Sequence, residues 1–372
     1  MTLTNFKIEE YFGKYEFKSQ YLLCCSDCES YSVDELLSLE QGAAEAFQGH
    51  WLGYTEPYGN PALREEIATL YDQNSAENVL VQSGTEETIY AFMNVALKAG
   101  DHVIIHYPAY GSLIDIPRHI GCDVTLWHAD RDNGWALDID FLESQIKENT
   151  RAIIINCPHN PTGYLMDQAD FQAVVDIARE HQLLLFSDEI YRLLEYDDHD
   201  RLPAACDLYE NAISTGGTAK VLGLAGLRIG WIATQNKTLM DDMASFKNYL
   251  TICSSAPSEF LAAVALRQRA AILKRNQDII SGNLERLDSF FSKHARVLQW
   301  QRPKAGPIAF PGFTKGIDAY DLSMRLLAEK DVLLLPSEIY DYDNNYFRIG
   351  FGRKNLPECL ERFDAFLVNN RQ

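Results

Sequence analysis

The chain has 372 residues, 47% hydrophobic and 23% charged, which excludes a disordered protein and exceeds what one core organises, so two domains, or one large domain with an appendage, are expected. Its 33 basic and 53 acidic residues give a formal charge of −20, which repels nucleic acid and anionic membranes, so any anionic ligand must be captured by a local positive site. The start, MTLTNFKIEE, has no basic n-region or apolar h-region, and no stretch reaches membrane-spanning length; a cytosolic location is expected.

In chain order, the first notable stretch is YLLCCSDCESY, where Cys25 and Cys28 form a C-x-x-C. No second cysteine pair or nearby histidine completes a site, and the eight cysteines are thinly spread, so no metal and no disulfide framework are expected. ENVLVQSG reads as a strand ending in a turn, and EETIYAFMNVALKAGD as a helix with Gly100 as its stop. HVIIHYP, CDVTLWH, RAIIINCP and QLLLFSDE read as further strands, with DQADFQAVVDIAREHQ as an amphipathic helix between the last two. His102 and His106 fall on a strand, where a spacing of four does not bring two imidazoles to one metal. YDDHD at 196–200 is a short polar loop. From about residue 262 long helices take over, followed by short strands (GPIAFPG, VLLLPS, YFRIGF) and a terminal helix. The pattern predicts a mostly parallel α/β sheet with helices on both faces and a smaller α+β unit.

In an open parallel sheet, ligands lie beyond the carboxyl ends of the strands. There the sequence places Ser83-Gly84-Thr85 opening a helix, whose N–H groups and positive end suit a phosphate. His159-Asn160-Pro161-Thr162-Gly163 follows a second strand, and Asp188 and Tyr191 follow a third. Lys220, in TAKVLGLAGLRIGW, precedes a run of small and apolar residues with Arg228 close behind.

GYTEPYGNPALREEIATLY, SGTEETIYAF, AGDHVIIHYPAY, PHNPTG, FSDEIY, TAKVLGLAGLRIGW and YFRIGFG stand in this order from residue 54 to residue 352. Together they closely resemble the class I/II aminotransferase group of fold-type-I pyridoxal-phosphate (PLP) enzymes. The resemblance implies a large PLP-binding domain at 46–261, a small domain from 1–45 and 262–372, and a homodimer. It implies that Lys220 forms the Schiff base, that Asp188 lies against the ring nitrogen, and that Asn160 and Tyr191 donate to the phenolic oxygen. Tyr110 stacks on the ring; Ser83, Gly84, Thr85 and Arg228 hold the phosphate, with Thr218 or Thr215 replacing a hydroxyl contact and Tyr54 reaching in from a second subunit. Arg348 grips the substrate α-carboxylate, since a guanidinium fork suits a carboxylate bidentately. Lys220, freed by the incoming amine, then moves the α-proton.

The chain also departs from that pattern. Gly217 and Ala219 stand where serines are common, PSEIY at 336–340 replaces a Pro-Gly turn, and CCSDCESYS lacks the Ser-Gly-x-Pro segment that often lines the substrate pocket. The Gly216-Gly217 pair can let the backbone approach the phosphate instead. No second arginine in a motif suits a side-chain carboxylate. An aminotransferase acting between an L-amino acid and a 2-oxo acid is the expected activity. The alternative is a lyase or cyclase working by β- or γ-elimination, similar to C–S lyases or capreomycidine synthase-like enzymes. A PLP-binding regulator is disfavoured because the N-terminal 45 residues are too few and too acidic for a DNA-binding domain. A nucleotide-binding dehydrogenase is disfavoured because no G-x-G-x-x-G follows the first strand, and GFGRKN at 350–355 lacks the third glycine.

Overall fold

A computed structural model describes residues 4–314 and 316–370. Its centre is a seven-stranded sheet of β1 (Val79–Gln82), β2 (His102–Tyr107), β3 (Asp123–His128), β4 (Thr150–Asn156), β5 (Leu184–Asp188), β6 (Ala212–Gly217) and β7 (Gly230–Ala233), in the spatial order 1-7-6-5-4-2-3. The pairs among β2 to β6 are parallel, and β7 runs antiparallel to both neighbours. A parallel sheet covered on both faces reads as continuous apolar runs, and β2 is buried at all six positions.

Successive side chains of these strands enter different cores. Ile104, Ile153 and Ile155 join one apolar cluster with Phe171, Val174 and Val175 of the helix at Gln168–Glu180. Val103, Ile105, Ala152 and Ile154 join another with Ile89, Phe92 and Met93. The helices on these two faces are α2 (Thr85–Ala96) and α3 (Gln168–Glu180), and α1 (Lys7–Tyr15) precedes them at the N-terminal end. Asp167 caps α3 by accepting from the Asp170 N–H. The second helix, α2, stops earlier than the sequence suggested: Leu97 is already extended, and Gly100, at φ +88°, shapes the following turn. The YDDHD loop contains a single 3-10 turn at Asp198–Asp200.

The last third of the chain supplies α4 (Ala256–Arg267), α5 (Arg269–Lys293) and α6 (Leu356–Asn369) around the short strands β8 (Ile308–Ala309), β9 (Leu335–Pro336) and β10 (Phe347–Gly350). The three strands form a small sheet with β10 in the middle. The N-terminal segment belongs to the same body, since Tyr21–Leu22 pairs in parallel with Val332–Leu333. One apolar cluster continues from Leu63 and Trp231 to Leu284, Phe347 and Phe363, so both parts share a core.

α1 is amphipathic. Ile8 and Tyr11 are buried on one side, the Tyr11 hydroxyl donates to the Leu334 carbonyl at 2.8 Å, and Lys7 pairs with Asp341. This fastens the helix over the carboxyl ends of the central strands.

Candidate active site

The register of the sheet sets the site. Asn156 at the end of β4 stands opposite Asp188 at the end of β5, and Asp188 stands opposite Thr215 on β6. A cavity of about 560 Å³ opens there, and Asn156, Asn160, Asp188, Tyr191, Lys220 and Arg348 all face it. Lys220 Nζ donates to Ser26 Oγ at 2.9 Å. Burial pulls the pKa of Lys220 below the ordinary lysine value, Arg348 works in the same direction and Asp27 opposes it. Asp188 is 5% exposed, and its carboxylate accepts from the Ile190 N–H at 3.2 Å. Desolvation pushes its pKa up to about 7, with Lys220 and the Ile190 bond opposing. Asn156 pins this strand end by donating from Nδ2 to the Asp188 carbonyl at 2.8 Å, while its Oδ1 accepts from the Asn160 N–H at 2.7 Å.

Arg348 of β10 enters from the other side. It is 2% exposed and donates from Nε and Nη2 to the Cys24 carbonyl at 3.2 and 2.9 Å. From Nη1 it donates to Asn160 Oδ1 at 3.0 Å and Tyr340 Oη at 2.8 Å. These bonds occupy four of the five guanidinium hydrogens, so Arg348 as held here offers a carboxylate one hydrogen at Nη2 and not the bidentate fork expected from the sequence. Tyr340 also donates to Asn160 Oδ1 at 3.0 Å. The acceptor end of Asn160 is thereby engaged and its donor end is left to the cavity. Gly350 permits this approach, because a Cβ there would lie 1.6 Å from the Cys25 carbonyl oxygen.

The helix start at Ser83-Gly84-Thr85 is only partly available. The Ser83 N–H donates to the Glu87 carboxylate and the Gly84 N–H to the Gln82 carbonyl at 2.9 Å, whereas Thr85 lines the cavity. Arg228 lines it too, and its guanidinium lies over the turn, so close that a Cβ on Gly84 would sit 2.6 Å from Nη2. Gly84 itself has φ +92°. Arg228 adopts a left-handed backbone, φ +53° and ψ 48°, an uncommon arrangement for a side-chain-bearing residue. Thr218 is turned away: its hydroxyl donates to the Leu224 and Ile229 carbonyls, both at 3.3 Å. Thr215 donates to the Trp231 carbonyl at 3.0 Å, so neither threonine hydroxyl stands in for the missing serines. Tyr110 lines the cavity and donates to Glu9 at 2.7 Å. Tyr54 is 84% exposed and not among the residues lining the cavity.

The residues suit pyridoxal phosphate. Tyr191 Oη is 1% exposed and has no hydrogen-bond partner among the described residues, which fits a donor for a phenolic oxygen. The buried carboxyl of Asp188 fits a protonated ring nitrogen, and Thr85 with Arg228 fits a phosphate. Sequence reasoning missed Ser26, Asn156, Tyr340, Glu9, Glu86 and the Asp27–Arg353 pair, although Ser26 and Tyr340 lie in the two segments noted as departing from the family pattern. Arg353 does line the cavity, but its Nε and Nη2 reach the two oxygens of Asp27, both at 2.9 Å.

The aminotransferase class I and II family model matches residues 27–363. Capreomycidine synthase from Streptomyces vinaceus is 27% identical over 346 residues, covering 92% of this chain and 88% of that protein. An aspartate aminotransferase from Pyrococcus abyssi is 27% identical over 351 residues, covering 88% and 87%. Among solved structures, a PLP-dependent aminotransferase from Streptococcus suis superposes with a TM-score of 0.94 at 30% identity over 100% of both chains. The PLP-dependent cyclase OrfR gives 0.92 at 24% identity, covering 99% and 98%.

Proposed function

The chain belongs to the class I and II aminotransferases and is a pyridoxal-phosphate-dependent aminotransferase of fold type I; on that premise we propose that Lys220 carries the reaction between an L-amino acid and a 2-oxo acid. The observation that supports this assignment is the convergence of Lys220, Asp188, Tyr191 and Arg348 on one cavity. The cofactor supplies a carbonyl that condenses with amines and a pyridinium ring that accepts the electron pair released at the substrate Cα. Lys220 and Asp188, which line the same cavity, would both serve that chemistry. Lys220, whose pKa burial lowers, is the group whose Nζ takes the proton from the substrate Cα. Asp188 holds a proton at the ring nitrogen as a paired carboxylate. Asn160 Nδ2 and Tyr191 Oη donate to the phenolic oxygen, and Thr85 and Arg228 hold the phosphate. Arg348, fixed by Cys24, Asn160 and Tyr340, holds the substrate α-carboxylate with the Cα proton toward Lys220.

Two assignments accompany this one. Residues 46–261 form the cofactor-binding domain and 1–45 with 262–372 the small domain, which is supported by the pairing of Tyr21–Leu22 with Val332–Leu333. The enzyme is a cytosolic homodimer in which Tyr54 reaches the partner's phosphate site. Trp51, Leu52 and Tyr54, in one short segment, are 77%, 77% and 84% exposed, a run of apolar side chains of the kind an interface covers. A second reading, cyclisation through elimination, draws on the capreomycidine synthase relative.

The test is to incubate the enzyme, after sedimentation has established its mass, with a panel of L-amino acids and one 2-oxo acid. The products are analysed for both the new amino acid and ammonia. Amino transfer that vanishes in Lys220→Ala, while PLP is still taken up, is the expected result. Ammonia or a cyclised product without transfer sinks the reading in favour of elimination.

A further inference from the structure

The cavity holds more carboxylates than this chemistry employs. Asp188 is assigned to the ring nitrogen, and Asp27 is bound by Arg353 through two bonds of 2.9 Å. Glu9 on α1, Glu16 just beyond it and Glu86 in the first turn of α2 remain, and all three line the cavity. Among the described residues none of them forms an ion pair within 4.0 Å. Their side-chain partners are neutral: Tyr110 donates to Glu9 at 2.7 Å and Ser112 to Glu86 at 3.0 Å. Burial, with Glu9 and Asp188 adding to it and Ser112 and Arg228 opposing, pushes the Glu86 pKa up to about 7.

The cations of the cavity are already committed. Lys220 is reserved for the carbonyl, Arg228 faces the phosphate turn, and Arg353 is closed by Asp27. Arg348 keeps one hydrogen uncommitted at 2% exposure, and the unpartnered Tyr191 Oη faces the same space. Both mark the cavity as built for a ligand. An amino acid anchored by its α-carboxylate at Arg348 therefore extends its side chain into a space lined by three carboxyls that lack an ion-pair partner among the described residues. A side-chain carboxylate meets no free cation there. A purely apolar side chain leaves these carboxyls without a counter-charge.

We propose that the substrate's side chain is cationic, an ammonium or guanidinium neutralised by Glu9, Glu16 and Glu86, rather than dicarboxylic or apolar. The inference rests on the reading of Arg348 as the α-carboxylate anchor.

The experiment compares lysine, norleucine, which is neutral and lacks only the terminal nitrogen, and glutamate on the PLP-loaded enzyme at low salt. Apparent dissociation constants are taken from the change in cofactor absorbance. Lysine is expected to bind at least about tenfold more tightly than norleucine, as charge pairing at a partly screened site allows, with glutamate weakest. The preference should shrink at high salt and in a Glu9→Gln, Glu16→Gln double variant, and separately in Glu86→Gln, which keeps the Ser112 bond. Norleucine or glutamate binding as tightly as lysine overturns the cationic-substrate inference alone. If none of the three binds an enzyme that retains PLP, the Arg348 anchor falls and this inference falls with it.

Discussion

Introducing at residue 217 the serine common in the family should damage this enzyme. Gly217 ends β6, and an ideal Cβ there would lie 2.8 Å from Thr85 Oγ1, 3.0 Å from Ile190 Cδ1 and 3.1 Å from the Ile229 carbonyl oxygen. The Ile229 oxygen cannot retreat freely, because it accepts from the Thr218 N–H at 3.0 Å and the Thr218 hydroxyl at 3.3 Å. Ile190 is 7% exposed and packs on Tyr191 and Ile308. Thr85, which lines the cavity at the phosphate turn, must yield. Overpacking of this kind costs about 1–3 kcal/mol, which corresponds to about 5- to 150-fold in cofactor affinity if it falls wholly on binding. Gly217→Ser should therefore be weaker in the sum of two measurements, the unfolding free energy of the apoprotein in urea and the PLP dissociation constant by equilibrium dialysis. A variant as stable as the parent that binds PLP equally well or better would refute the steric argument and restore the serine as a missing phosphate contact.

Tyr340→Phe removes the acceptor of one Arg348 bond and a donor to Asn160. With a hydrogen bond to a charged group contributing about 1.5–3 kcal/mol, KM for the amino acid should rise about ten- to a hundredfold while PLP uptake stays constant; an unchanged KM would show that Tyr340 does not position Arg348. Asp188, raised to about 7 by burial, keeps its proton in the folded apoprotein over a range in which the unfolded chain, titrating near 3.8, has lost it. Its contribution to apoprotein stability is therefore fully present below about pH 4 and is lost as pH rises through 7, a difference of a few kcal/mol. Urea melts of Asp188→Asn across that window should be flatter than the parent's, and parallel profiles would contradict the assignment.

What the sequence disclosed and what it withheld separate by range. The runs that became β1, β2, β4 and β5 are largely apolar and buried, and β3 alternates polar and apolar residues, so patterns within ten or so residues suffice to find them. β7 escaped notice because GWIA opens on a glycine directly after the Arg228 motif, with no polar turn to set it off as a strand, and carries no sign of running antiparallel. α1 left a legible trace, since Ile8, Tyr11 and Tyr15 stand at helical spacing, but nothing local says that Glu9 on that helix reaches Tyr110. The site shows the same division. Lys220, Asp188, Asn160 and Arg348 sit in motifs, whereas the groups that hold them come from far away: Ser26 lies 194 positions from Lys220, and Cys24 lies 324 from Arg348.

The two segments that depart most from the family pattern are informative in this light. CCSDCESYS contributes Ser26 to Lys220 and the Cys24 carbonyl to Arg348, and PSEIY contributes Tyr340 to Arg348 and Asn160. In each case the departing segment touches a residue that follows the pattern. Had the activity decayed, the pattern residues would have lost their burial or their partners; instead Arg348 keeps four hydrogen bonds at 2% exposure. Those two segments, with the α1 region that brings Glu9 and Glu16, border the cavity near Arg348, the proposed substrate anchor, whereas Gly217 and Ala219 depart beside the proposed phosphate turn. Departures of the first kind are what a change of substrate requires, because the electron sink is common to all amino acids and only the walls around the side chain distinguish one from another.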